Sequence, residues 1–240
     1  MICAVTFDFD GTLVDSESCL PSVFSKILEL FSIDDQNKKV LTKLLISREE
    51  YYHWEGIFEY KKRIQFWKNT FYKFGIYIDD ESFDGIFDIY WIHRIAQTKI
   101  RPYTKELLEF LKERSIKLAV VAGNDERVGL KRFRVKQSGL DKYFDEILIA
   151  KDDVLSKKDA VERLAEKWGC KTSQIVHVDD KDSSIEEANS AGALTIQIKH
   201  IGILKMGFEE FDNPTYKAND LKEVKEILTK ILEKRVNKST

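Results

Sequence analysis

The chain has 240 residues, 39 Lys and Arg against 41 Asp and Glu, a net charge of -2, and 43% hydrophobic residues. That length supports a proper core without disulfide or metal staples, and the balanced charge excludes a dedicated nucleic-acid or polyanion binder, which carries a clear basic excess. With 3 Pro and 11 Gly, long linker-like stretches are not expected.

The chain opens on a short β-rich run, Ile2 to Phe7, that ends in the polar cluster Asp8-Phe9-Asp10-Gly11-Thr12. From about Ser16 to Thr98 the periodicity is helical. Val23, Phe24, Ile27, Leu28 and Phe31 form one stripe, and Val40, Leu41, Leu44 and Leu45 a second. Trp54, Ile57, Phe58, Ile64, Trp67, Phe71 and Phe74 form a third, with Gly75 as a stop, and Phe83, Ile86, Phe87, Tyr90 and Trp91 a fourth. Seventeen of the 28 aromatic residues fall in this block, which predicts a bundle of about four helices around an aromatic core.

After Pro102 helices and strands alternate. Leu107 to Leu111 reads as a helix, Lys117 to Val121 as a strand, Glu126 to Gln137 as a helix and Glu146 to Ala150 as a strand. Lys158 to Trp168 follows as a helix, with Ser156 and Asp159 spaced as a capping box. Ile175 to Val178 is a strand, Ser184 to Ser190 a helix, Leu194 to Ile198 a strand and Asp220 to Glu233 a last helix. Apolar strands alternating with helices predict a parallel, doubly wound sheet covered on both faces. The expected division is a core of residues 1–15 and 99–240 with a helical cap of residues 16–98.

Cys3, Cys19 and Cys170 are odd in number and scattered, as are His53, His93, His177 and His200. Neither a disulfide framework nor a zinc site is expected. The start lacks a basic leader and no apolar run approaches the ~18 residues of a membrane span. The expectation is therefore a reducing cytoplasm, with neither membrane nor nucleic acid as partner.

Three predicted strands run straight into polar clusters: Asp8 to Thr12, Ala122-Gly123-Asn124, and Asp179-Asp180-Lys181-Asp182. Ligands bind beyond the carboxyl ends of strands in open parallel sheets, so these clusters are expected side by side. Asp8 and Asp10 share a face while the chain stays extended.

Asp8-Phe9-Asp10-Gly11-Thr12-Leu13-Val14-Asp15-Ser16 resembles the first motif of the haloacid dehalogenase-like hydrolase superfamily, which is dominated by magnesium-dependent phosphatases. Gly139-Leu140-Asp141-Lys142-Tyr143-Phe144-Asp145 resembles a turn of that family, and Val178-Asp179-Asp180 with Ile185, Ala188, Ala191 and Gly192 its fourth motif. The resemblance implies a Rossmann-like α/β core with a small all-α cap inserted after the first strand. It implies that Asp8 is a nucleophile that becomes an aspartyl-phosphate and that Asp10 is the general acid and base. The carboxylate of Asp10 fits phosphoryl chemistry, because the dehalogenase branch lacks one there. Lys157, 23 residues before Asp180, resembles the third-motif lysine, with Lys158 as the runner-up. The implied Mg2+ ligands are Asp8, the backbone carbonyl of Asp10, and Asp180, with Asp179 in support. The bland reading of His177 is a packed strand histidine.

Two departures stand out. The second motif normally ends its strand with Ser or Thr, whose hydroxyl holds a phosphate oxygen, and Ala122 stands there. That leaves Gly123 and Asn124 as the implied phosphate-binding residues, and losing one such donor costs roughly 3 kcal/mol. Ser184 replaces an Asp of many relatives, a milder change beside the adjacent acids Asp179 and Asp180. The leading expectation is a phosphatase acting on a small phosphorylated metabolite. A sugar-phosphate mutase is the alternative, since Ser47-Arg48-Glu49 is similar to a segment in β-phosphoglucomutases whose Arg grips a second phosphate. A weakly active phosphate-binding pseudoenzyme is the third reading. The sequence is silent on oligomeric state.

Overall fold

Four consecutive buried residues, Ala4–Phe7, form β1, the strand from which the site is built. The computed structural model describes residues 2–54, 59–205 and 213–233, without the side chains of residues 53 and 54. In chain order the further elements are β2 (Val14–Asp15), α1 (Leu20–Leu28), α2 (Asp35–Trp54), α3 (Tyr60–Tyr72), α4 (Asp80–Gln97) and β3 (Lys99–Ile100). Then come α5 (Thr104–Glu113), β4 (Lys117–Gly123), α6 (Leu130–Gln137), β5 (Glu146–Ala150), α7 (Lys157–Lys167) and β6 (Ile175–Asp179). The chain continues through α8 (Asp182–Ser190), β7 (Leu194–Ile198), β8 (Tyr216–Ala218) and α9 (Leu221–Glu233).

Two units are distinct. The first contains residues 2–15, Ile100–Ile201 and residues 213–233; the second contains Ser16–Lys99 with residues 202–205. The first holds a six-stranded parallel sheet in the order β5-β4-β1-β6-β7-β8. A separate two-stranded sheet pairs β2 with β3. The period-two alternation of the strands sorts their side chains into two cores. Val5, Phe7, Leu118, Val120, Val176 and Val178 pack with Leu107 and Leu111 of α5 and Leu221, Val224 and Leu228 of α9. Ala4, Ala119, Val121 and Ile175 pack with Ala160, Val161 and Leu164 of α7 and Ala188 of α8. The expected α/β, doubly wound parallel sheet is present.

Differences from the sequence reading are local and have physical causes. The helix expected from Glu126 starts at Leu130, because Gly129 takes φ +81° and Glu126 φ +69° in a turn. β4 runs on to Gly123, and α7 starts at Lys157 with the Ser156 hydroxyl accepting from Asp159 N. β8 gave no apolar signal because it is a three-residue edge strand with two exposed residues. Cys3 and Cys170 are joined by a disulfide, which corrects the expectation that the scattered cysteines would form none. They are 167 residues apart, but Cys3 enters β1 and Cys170 precedes β6, its parallel neighbour.

In the second unit, α1 buries Leu20, Val23, Phe24, Ile27 and Leu28. Along α2, Leu41, Leu45, Glu49 and Tyr52 are buried while Val40 and Leu44 are exposed, so the inward stripe is narrower than the apolar pattern. Trp67 is the centre of an aromatic core, with ring centroids 5.4 Å from Phe24, 5.7 Å from Phe83 and 5.0 Å from Tyr90. Ile57 and Phe58 of the third stripe lie outside the described residues.

Candidate active site

Asp8 follows β1, and its amide donates to Val178 O (2.9 Å), which carries the strand pairing with β6 one residue past Phe7. The same pairing sets Asp8 beside the end of β6, where Asp179 and Asp180 stand. Carboxylate oxygens of Asp8, Asp179 and Asp180 lie within 4.8 Å of one another, and all three residues are buried. Lys157, at the first turn of α7, donates from Nζ to Asp8 Oδ1 (2.7 Å) and Asp179 Oδ2 (2.5 Å). Lys158 points to solvent and pairs with Glu162 at 3.9 Å.

One lysine cannot offset three buried carboxylates. Burial pushes Asp8 up to about 7, and the charges of Asp179 and Asp180 add to that against Lys157. Burial also works against the ionised form of Asp179, but Lys157 and His177 outweigh it and hold Asp179 far below the usual carboxylate range. Burial disfavours charged Lys157, and Asp179 and Asp8 reverse this, so the lysine stays protonated. His177 sits within β6, with Nδ1 2.9 Å from Thr6 Oγ1 and Nε2 3.1 Å from Asp179 Oδ2. Burial lowers its pKa, so at neutral pH it is a packed, uncharged strand histidine that also orients Asp179.

Asp180 is fixed from several directions. His200 Nδ1 lies 2.6 Å from its Oδ2, and the Thr12 hydroxyl donates to its Oδ1 at 3.4 Å. Gly11 has φ +75°, and a Cβ there would collide with the Asp180 carboxylate, so this position requires glycine twice over. Arg101, buried in the first unit, donates to Gly11 O (2.7 Å), Lys199 O (3.0 Å) and Asn219 O (3.2 Å), tying the loop after β1 to the ends of β7 and β8.

Asp10 belongs to a different cluster. Arg134 of α6 grips both of its oxygens, through Nη1 to Oδ2 at 2.9 Å and through Nη2 to Oδ1. Lys131, one turn earlier, donates to Asp10 Oδ2. Asp125 closes a square, 2.8 Å from Arg134 Nη1 and 2.9 Å from Lys131 Nζ. Two carboxylates thus face two cations, with Asp10 the most exposed of the four at 21%. At the end of β4, Ala122 is buried and carries no hydroxyl, and the Asn124 amide donates to Asp152 Oδ1 (3.3 Å). Gly123 closes the strand, with open space where a Cβ would stand.

The structure therefore brings Asp8, Lys157, Asp179 and Asp180 together, sets Asp10 in the adjoining square, and leaves the Asn124 side chain with Asp152. Sequence reasoning missed Lys131, Arg134, Asp125, Arg101 and His200. The one available signal was the i, i+3 basic pair Lys131 and Arg134, hidden in a helix rich in Lys and Arg. Clustered carboxylate oxygens fit a hard divalent cation, which would offset the burial and the repulsion that raise Asp8. Asp8, Asp179 and Asp180 are the residues that would hold it.

The chain matches the model of the haloacid dehalogenase-like hydrolase family over residues 2–192. It is 26% identical over 200 residues to a phosphorylated carbohydrates phosphatase of Thermotoga maritima, covering 79% of this chain and 81% of that one. It is 27% identical over 209 residues to a phosphoglycolate phosphatase of Neisseria meningitidis, covering 81% and 79%. Its fold is similar to that of the crystal structure of a predicted phosphoglycolate phosphatase from Haemophilus somnus 129pt. The TM-score is 0.67 at 20% identity, over 95% of this chain and 98% of that one.

Proposed function

The chain belongs to the haloacid dehalogenase-like hydrolase family, and from that premise we propose that it is a Mg2+-dependent phosphatase of a small phosphorylated metabolite. The observation that carries the reading is Asp8, a buried carboxylate at a strand end, bonded to Lys157 at 2.7 Å and crowded by two further acids. The phosphatase names of its relatives support the same reaction class.

In this reading Asp8 attacks phosphorus, the bond from phosphorus to the leaving oxygen breaks, and that oxygen takes a proton from Asp10. Asp10 then accepts a proton from water, which attacks the phosphorus of the aspartyl-phosphate; phosphate leaves and the Asp8 carboxylate is restored. Lys157 neutralises charge on Asp8 and on the transferring group, and Asp179, itself oriented by His177, holds Lys157 in place. Asp8, Asp180 and the Asp10 carbonyl, with Asp179 in support, would hold Mg2+, which would supply positive charge opposite the developing negative charge.

Hydrolysis of p-nitrophenyl phosphate, assayed with Mg2+ and with a chelator, tests the proposal. The expected result is turnover that needs the metal, followed by selectivity in a panel of sugar phosphates and phosphoglycolate. Full activity in the chelator, or none on any phosphomonoester with Mg2+, overturns it.

A further inference from the structure

Of the donors expected at the end of β4, Ala122 lacks the hydroxyl, and the Asn124 amide directs one N–H to Asp152. Yet α6 delivers two buried cations to the same end of the sheet, at i and i+3 on one helix face. Lys131 and Arg134 are not equivalent there. Arg134, 2% exposed, spans both oxygens of Asp10 and reaches Asp125, a planar fork committed to two carboxylates. Lys131 contacts one oxygen of each acid through a single ammonium on a flexible stem. Asp10 lies two residues past Asp8, so Lys131 stands against the same strand-end loop as the proposed nucleophile.

We propose that Lys131 is a second phosphate-binding cation, which takes the place of the missing hydroxyl at position 122, and that Arg134 is the positioning residue that keeps Asp10 beside it. The inference rests on the phosphatase reading for its ligand, a phosphoryl group attached to or leaving Asp8. An arriving dianion competes with Asp10 for Lys131. When the ammonium turns to the phosphoryl oxygens, Oδ2 of Asp10 loses one of its two cations while Arg134 still holds the carboxylate. One movement then binds phosphate and loosens the ion pairing of the proposed acid and base. Asp125 is what makes this tenable, because it keeps the square neutral while the site awaits an anion.

Titration calorimetry of the Mg2+-loaded full chain with inorganic phosphate reads the claim without turnover. Lys131→Met is expected to weaken phosphate binding roughly 10- to 100-fold, the span of one charge-assisted hydrogen bond, and Lys131→Arg to keep most of the affinity. Lys131→Met with Asp125→Asn removes one cation and one carboxylate together; it should fold and lose the same affinity. Ala122→Ser should recover more phosphate affinity in the Lys131→Met background than in wild type. Phosphate affinity within about twofold of wild type in both Lys131→Met variants overturns the inference. An equal Ala122→Ser gain in the two backgrounds does the same, and so does a wild type that binds no phosphate. A wild type that binds phosphate through Lys131 yet hydrolyses no phosphomonoester overturns the proposed function and leaves this inference standing.

Discussion

Both units bury a cluster of charges, and the two clusters are built on opposite plans. In the second unit Glu49 accepts from Trp67 Nε1 (3.0 Å) and Tyr90 Oη (3.2 Å) and pairs with Arg63 (3.1 Å), while Arg94 donates to Tyr90 Oη (2.5 Å) and Ser16 O (3.0 Å). The Arg63 guanidinium stacks 4.4 Å over the Tyr52 ring. That cluster sets the Glu49 carboxylate among arginines, aromatic rings and their polar edges. In the first unit Asp8, Asp179 and Asp180 converge with Lys157 as the cation bonded to two of them, and the cost appears as the raised pKa of Asp8. A buried network that pairs its charges stiffens a core, whereas one with surplus charge of a single sign is poised for a ligand of the other sign.

The contrast breaks most sharply at Asp8. Asp8→Asn is expected to lower phosphatase turnover on the order of 10⁴-fold or more, while stabilising the metal-free protein. The folded pKa of Asp8 is raised above its unfolded value. Its ionisation therefore destabilises the fold increasingly from about pH 4 upward, and fully above about 7. Asparagine carries no such cost, so thermal melts at pH 8 in a chelator should give the variant the higher Tm, and added Mg2+ should narrow the gap.

The opposite outcome is expected in the second unit. Glu49→Ala leaves Arg63 buried without its carboxylate and should cost about 3–5 kcal/mol, read as faster hydrogen exchange across α2, α3 and α4. If Glu49→Ala were neutral and Asp8→Asn destabilising, the comparison would be reversed.

A smaller effect isolates the metal. His200→Ala removes the 2.6 Å partner of Asp180 and should weaken Mg2+ binding roughly 10- to 100-fold by calorimetry. Unchanged affinity would show that Gly11 and Thr12 orient Asp180 without it. Finally, with Asp8 as a proposed metal ligand, protons would compete with Mg2+ there. Mg2+ affinity should rise by up to about tenfold per pH unit below 7 and level off above it. A flat profile from pH 5 to 8 would contradict the raised pKa of Asp8.

The same contrast explains what could be read in advance. Asp8, Asp179 and Asp180 were legible because they terminate apolar strands, and a parallel sheet aligns its strand ends whatever the intervening chain does. Lys157 was legible only through its resemblance to the third-motif lysine at that family's spacing from Asp180, with Lys158 as the runner-up; the Ser156 cap sets the start of α7 at Lys157. Lys131 was not legible. It is one of several basic residues on α6, and its partner Asp10 lies 121 residues away. Glu49 was not legible either: nothing in the polar run Ser47 to Glu50 marks it as inward, yet it is 1% exposed. Apolar periodicity locates faces, but it does not say which charged residue on an inward face has found a partner across the unit. The disulfide was hidden for a related reason, since only the pairing of β1 with β6 brings Cys3 to Cys170.

The central claim is that the surplus acid is a nucleophile. The direct measurement is acid quenching during turnover of a ³²P-labelled phosphomonoester with Mg2+, followed by peptide mapping of the protein-bound label. The account predicts a hydroxylamine-labile label on the peptide that contains Asp8, absent from Asp8→Asn. Label on another peptide, or turnover that persists in Asp8→Asn, would contradict it.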